Sequence, residues 1–216
     1  MAIVAVTGMR IEAKIARRAG IHAIVAAGSP ERRAAAIAQA VREGATRLIS
    51  FGISGGLDPS FASGALLLPE AVSDETGAAY TCDAAWRKSL AIHAQGGTIF
   101  GASTIVGGAA AKKSLFEQTH AAAVDLESGF VACAGVPFIA VRAIADPAWL
   151  DLPPAALVGL DESGGVGLAA VMRSVIAAPG QFSALVRLMF DTRRALAALA
   201  RAAPLVHSAA MGRKPA

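Results

Sequence analysis

Carboxylates occur here at places where a strongly apolar chain has little reason to put them. The stretch VDLESGFVACAGVPFIAVRAIADPA, residues 124–148, has Asp125 and Glu127 at the entry of a short helix and Asp146 at the exit of an apolar strand. A further carboxylate, Glu12, follows Gly8 in TGMRIEA. The neighbours of Asp146 are almost all apolar, and desolvation favours the protonated form of such a side chain, the form a general acid needs. A buried, ionised Glu127 is better explained by a polar ligand than by packing. Arg10, and the free backbone N–H groups where Gly28-Ser29-Pro30 opens a helix, could hold an anion. Each carboxylate also has a plainer reading. Asp146 before Pro147 can cap a helix, Glu127 can be a first-turn acid favoured by the helix dipole, and Glu12 can be an ordinary exposed helix acid.

These residues need elements to position them, and the chain alternates short apolar runs with helical spacing. Strands are expected at 2–6, 22–27, 47–53, 64–72, 98–103, 121–124 and 137–144, with Pro69 marking a bend or an edge. Helices are expected at 9–19, 31–43, 83–95, 109–118, 127–135, 165–177 and 181–202. In the last of these Phe182, Leu185, Met189, Leu196 and Leu199 recur as a stripe expected to face the core. Residues 205–216 read as a frayed tail on one domain spanning 1–216. Near-continuous apolar strands alternating with helices predict an α/β fold of three layers, helices on both faces of a central mixed sheet. Sites in such folds gather at the carboxyl edge of the strands, so Gly8, Gly28, the Ser54-Gly55-Gly56 turn and Asp146 should share one mouth.

Composition narrows the function classes. Of the 216 residues 55% are hydrophobic and 17% charged, which excludes disorder and predicts a large core. No uninterrupted apolar run is long enough for a spanning helix, and MAIVAVTGMR reads as a first strand, not a signal peptide. The net charge is +4, but the pairs Arg17-Arg18, Arg32-Arg33 and Lys112-Lys113 read as solvated helix faces, and aromatics at 5% are too few to stack nucleic-acid bases. Cys82 and Cys133 lie far apart, and His22, His93, His120 and His207 form no cluster. A cytoplasmic, metal-free protein that binds no nucleic acid is expected.

With TGMRIEA after the first strand, FGISGGLDP after the third, then VDLESG and VRAIADPA, the chain resembles the purine nucleoside phosphorylase and nucleosidase superfamily. It is similar in style to the methylthioadenosine/adenosylhomocysteine nucleosidases and, more narrowly, to the hopanoid-associated phosphorylases. The resemblance implies cleavage of a purine N-glycosidic bond, which builds positive charge on the ribose while negative charge flows into the base. It places Asp146 as the acid at the purine N7 and Glu127 on the ribose hydroxyls, with Leu126 and Met9 against the sugar. Thr104-Ile105 fall at the purine-stacking position, and Gly8, Arg10, Gly28, Ser29, Ser54 and Gly55 form the nucleophile or anion loops.

Glu12 stands where nucleosidases carry a glutamate that positions water and where phosphorylases carry a phosphate-gripping arginine. That leans towards hydrolysis, with inorganic phosphate left open as a co-substrate. Ile53, Ala145 and Thr104-Ile105 depart from the family pattern. The segment before Gly28 is shorter than in the nucleosidases, which would open the ribose 5′ side to a bulky apolar substituent. The implied substrate is a small nucleoside that can be lipid-linked, adenosylhopane first and methylthioadenosine or adenosylhomocysteine second. A non-catalytic nucleoside-binding module is a third reading. The resemblance further implies a homodimer or higher homo-oligomer, and the apolar excess fits either that interface or peripheral contact with a membrane.

Overall fold

The structure, a computed structural model, describes residues 2–157, 163–165, 173–174 and 177–210. Nine strands form one mixed sheet: β1 (Ala2–Thr7), β2 (His22–Val25), β3 (Ala45–Gly56), β4 (Leu66–Leu67), β5 (Ala71–Asp74), β6 (Ala79–Thr81), β7 (Thr98–Gly101), β8 (Ala123–Asp125) and β9 (Phe138–Asp146). Among the described residues the helices are α1 (Arg10–Arg18), α2 (Pro30–Arg42), α3 (Ala84–Ser89), α4 (Ala109–Thr119), α5 (Ser128–Ala132), α6 (Pro154–Leu157) and α7 (Phe182–Ala210). The strand order is β2-β1-β3-β8-β7-β5-β6, with β9 pairing with β3 and β4 outside that path. β3 runs parallel to β1 and β9, whereas its last residues, Gly55 and Gly56, pair antiparallel with Val124 and Ala123 of β8.

The period of two along the strands sorts side chains between two cores. Ala5, Ile49, Phe51, Ile139, Val141 and Ala143 pack under α1 and α7, where Ala13, Ala16, Ala195, Ala198 and Leu199 meet them. Val4, Val6, Leu48 and Phe138 turn the other way, against Ile37 and Ala40 of α2 and Val131 of α5. On this second face the alternating positions become small and polar towards the carboxyl edge: Ser50, Gly52 and Arg142 replace the aliphatic residues. That change makes room for a site.

Several expectations are corrected in detail. The expected strand 64–72 is split at Pro69, whose missing N–H cannot continue a ladder, into β4 and β5, and β6 was not foreseen. The expected helix 83–95 stops at Ser89. β3 runs on through Ser54-Gly55-Gly56, because β8 and β9 supply partners for residues that read as a turn. The stripe on the last helix faces the core only in part: Phe182 and Met189 are 64% and 45% exposed, and the buried side is made by Ala195, Ala198, Leu199, Ala202 and Val206. Small residues let α7 lie close to β9. Residues 205–210 of the expected tail continue α7, whereas 211–216 and most of the helix expected at 165–177 lie outside the described residues. Among the described residues no helix is long and apolar enough to cross a membrane.

Candidate active site

The site begins where β1 gives way to α1. Glu12, in the first turn of α1, folds back so that its Oε2 accepts the backbone N–H groups of Gly8 (3.0 Å) and Met9 (2.8 Å). Its Oε1 accepts the N–H of Ile53 from β3 at 2.7 Å. This is the reciprocal half of a capping box, extended to a second strand. The side chain is 1% exposed, so the plain reading of Glu12 as an exposed helix acid is overturned. Burial pushes its pKa up, against the opposing pull of Arg142 and the three N–H donors.

Arg142 sits opposite Gly52 in the β3–β9 register. A Cβ at Gly52 would lie 2.6 Å from both the Arg142 Nη1 and the Glu12 Oε1, so glycine is what leaves room for both side chains. The guanidinium pairs through Nε with Asp125 Oδ2 (2.8 Å) and through Nη2 with Glu127 Oε2 (3.2 Å). It also donates to Ser50 Oγ (2.6 Å) and to the Ile53 carbonyl (3.2 Å). Asp125 in turn shapes the loop that presents Glu127, because its Oδ1 accepts the N–H groups of Glu127 (3.0 Å) and Ser128 (2.7 Å). The other oxygen of Glu127 lies against Gly8, where a Cβ would approach it to 2.4 Å.

Three buried carboxylates therefore lie in the field of one guanidinium, two of them paired with it, and full ionisation of all three is unfavourable. Burial pushes Glu127 up to about 7; Arg142 opposes the shift, and the charges of Asp125 and Glu12 add to it.

Asp146 closes β9 beside the end of β3, where a Cβ at Gly55 would stand 3.2 Å from its Oδ2. Its partner is Lys112 of α4, at 2.6 Å from the same oxygen. Burial raises the Asp146 pKa and Lys112 opposes that rise.

The structure thus brings Glu12, Glu127, Met9 and Gly8 together around Arg142, and places Asp146 and Gly55 four and three residues further along β9 and β3 than Arg142 and Gly52. Ser54 is buried there, its hydroxyl without a hydrogen-bond partner among the described residues. Leu126 lines the same loop, its carbonyl accepting from Arg33. Other expected residues are engaged elsewhere. The Arg10 guanidinium bonds the Ser163 carbonyl (3.2 Å) and hydroxyl (2.6 Å). Ser29 caps α2 and donates to Glu31, so neither it nor Gly28 hydrogen-bonds the carboxylate cluster among the described residues. Thr104 and Ile105 are exposed in the loop after β7.

Three basic residues escaped the reading of the sequence. Arg142 is fully buried, and its signal was available: a lone charge inside PFIAVRAIA needs counter-charges. Lys112 and Arg33 are corrections: the sequence reads both as parts of solvated helix faces, and both are buried. Arg33 reaches the carbonyls of Ser103 and Leu126 and lies over the Phe130 ring. Successive helix positions differ by about 100°, so Arg32 and Lys113 stay exposed while their neighbours Arg33 and Lys112 turn inward, whereas Arg17 and Arg18 are both exposed as expected.

Residues 22–157 match the family described as the phosphorylase superfamily. None of the curated proteins matches the chain in sequence. Among solved structures, the 5′-methylthioadenosine/S-adenosylhomocysteine nucleosidase of Neisseria meningitidis in complex with methylthio-immucillin-A is similar, with 15% identity, a TM-score of 0.70, and 96% of this chain and 99% of that chain covered. The corresponding Helicobacter pylori nucleosidase gives 14% identity, a TM-score of 0.68, and 97% of each chain covered. The futalosine hydrolase of Helicobacter pylori gives 14%, 0.66 and 97% of each chain.

Proposed function

Because the chain belongs to the phosphorylase superfamily, we propose that it hydrolyses the N-glycosidic bond of a purine nucleoside and releases adenine, with adenosylhopane as the substrate. The observation that carries this reading is Glu12, seated in a nest of three backbone N–H groups and adjoining the Arg142–Glu127 pair. An incoming phosphate needs unpaired donors, and here the nest already holds a carboxylate while Arg10 is turned to Ser163. A water molecule meets a proton acceptor instead. Water attacks the anomeric carbon, the electron pair of the C–N bond passes to the purine, the water proton goes to Glu12, and Asp146 protonates the departing base. Glu127 holds the ribose hydroxyls, and Leu126 and Met9 pack against the sugar. Gly52 and Gly55, against which the two acidic centres lie, are separated by roughly 10 Å of strand, a span one nucleoside can bridge.

The support for a bulky apolar appendage is the open ribose 5′ side that the resemblance implies; the groove of about 580 Å³ lined by Leu57, Pro59, Phe116, Ala148, Trp149, Lys113 and Glu117 lies towards the Asp146 end, on the side of the base. Trp149 is 51% exposed there. The second reading, a methylthioadenosine/adenosylhomocysteine nucleosidase, is favoured by Glu12 and by the 99% coverage of the Neisseria chain. Exposed Phe182, Met189 and Phe190 on α7 support a homo-oligomer, which sedimentation velocity measures, with vesicle flotation testing peripheral membrane contact instead.

The deciding assay is adenine release by chromatography from adenosylhopane and from methylthioadenosine, each with and without inorganic phosphate. The proposal expects preference for the lipid-linked nucleoside and equal rates without phosphate. Preference for the small nucleoside selects the second reading, and a ribose 1-phosphate product overturns hydrolysis.

A further inference from the structure

Lys112 is the second basic residue that the structure brings inside, and its surroundings are unusual. Its side chain is fully buried, and among the described residues Nζ has four acceptors: Asp146 Oδ2 at 2.6 Å, the Leu150 carbonyl at 2.9 Å, the Pro147 carbonyl at 3.2 Å and the Asp146 carbonyl at 3.4 Å. An ammonium has three protons and no lone pair, so this cage suits the charged form and leaves it no donor to clash with. Helix α4 thereby grips both the side chain of Asp146 and the turn behind it. The grip takes one carboxyl oxygen only. Oδ2 belongs to Lys112, and among the described residues no other residue hydrogen-bonds Oδ1, which makes Oδ1 the oxygen to present a proton.

We infer that Lys112 is a positioning residue for the reaction, acting through Asp146: it fixes which oxygen faces the base and stabilises the negative charge that appears on the carboxyl as the proton leaves. The inference rests on the proposed role of Asp146 as the general acid. In that step the Oδ1–H bond breaks and a bond from the base nitrogen to that hydrogen forms. The carboxyl is left as a carboxylate, and the C–N electron pair ends on the base. The ammonium at 2.6 Å is in place before the charge develops, so no reorganisation is needed at the moment of transfer. The other charged groups near Asp146 are held elsewhere. Asp151, on the same turn, accepts the Ala109 N–H, and Arg142, four residues earlier on β9, is engaged by Asp125 and Glu127.

The test is the pH dependence of turnover in Lys112→Met, with Lys112→Arg as the charge-conserving variant. Asp146 works protonated, so turnover is lost as pH rises through its pKa. Lys112 lowers that pKa, hence removing it must move the alkaline limb upward, by about one to three pH units. At the same time kcat on the plateau falls by about 10²-fold with KM little changed, because the stabilisation removed belongs to the transition state. Lys112→Arg should return the limb towards its original position. A lower plateau with an unmoved or lowered limb, or a limb that Arg leaves where Met puts it, overturns the inference and leaves Lys112 as packing.

A second readout needs no turnover: carbon-13 carboxyl NMR of aspartate-labelled protein, with the Asp146 signal identified from Asp146→Asn. The midpoint should rise in Lys112→Met, and an unchanged midpoint overturns the inference. If the unsubstituted protein releases no base from any nucleoside, the functional proposal fails, and the NMR midpoint still decides the pairing.

Discussion

Replacing Gly8 by alanine tests the carboxylate cluster with a single methyl group. The added Cβ would stand 2.4 Å from Glu127 Oε1 and 2.9 Å from its Cδ. A relaxed carbon–oxygen contact is about 3.4 Å, so the carboxylate must retreat by about 1 Å. Its Oε2 is already 3.2 Å from Arg142, and a further ångström takes that bond beyond hydrogen-bonding range. Backbone strain does not confuse the outcome, because Gly8 is not among the glycines with positive φ. A misplacement of this size at a substrate-holding group costs about 10²-fold in kcat/KM, or about 2.7 kcal/mol of transition-state stabilisation. Stability should fall by only about 1–2 kcal/mol, since Arg142 keeps Asp125 and Ser50 as partners. The assay is initial-rate adenine release alongside thermal unfolding. Gly180→Ala is the control, because a Cβ there meets nothing within 4 Å. If Gly8→Ala keeps kcat/KM within about threefold of the unsubstituted protein, Glu127 does not work from the position the structure gives it.

Three further outcomes follow from the same geometry. Asp146→Asn should lower kcat by about 10²- to 10⁴-fold while leaving nucleoside binding measurable by calorimetry; equal rates would remove Asp146 from the chemistry. Arg142→Met leaves three buried carboxylates without their shared cation and should destabilise the fold by about 3–5 kcal/mol in urea titration, whereas a loss under about 1 kcal/mol would mean that the cluster is already solvated. Glu127, raised from an ordinary value of 4.5 to about 7, binds its proton more tightly folded than unfolded. Its contribution to stability is therefore full below pH 4.5 and lost as pH rises to 7, an amount of about 3 kcal/mol, and Glu127→Gln should flatten that part of the stability–pH curve.

The fold was legible because period-2 alternation and helix punctuation are local signals, and each central strand carries its own. β9 could be read from PFIAVRAIA alone, and α2 from Pro30. What stayed hidden depends on partners distant in the chain. Ser54-Gly55-Gly56 reads as a turn until β8 and β9 are laid beside it, and Lys112 reads as solvent-facing until the Asp146–Leu150 turn closes over it. The carboxylates stood out as anomalies in apolar sequence, whereas their cations did not, since basic residues on helices are ordinary. Arg142 was the exception, a cation inside a buried strand, and it is the residue on which Glu12, Asp125 and Glu127 all depend.

The placement of the cations also divides the site by sign. Around Arg142 three carboxylates face one guanidinium, with Arg33 as a second cation acting on Glu127, so that end is short of positive charge when Glu127 is ionised. Around Asp146 a whole ammonium faces a single carboxyl that is protonated when it acts. N-glycosidic cleavage develops charge with the same polarity, positive on the sugar and negative on the base. With the ribose at Glu127 and the base at Asp146, fixed charge opposes developing charge at both ends of one bond. Exchanging the two ends would set the ammonium against the cationic sugar and the carboxylates against the anionic base. Polarity alone therefore orients the nucleoside in the site. A ribose-ring cation analogue should bind more weakly to Glu127→Gln than to the unsubstituted protein, by about tenfold or more, and only weakly respond to Lys112→Met. The reverse order of sensitivities in calorimetry would mean that the nucleoside lies the other way round.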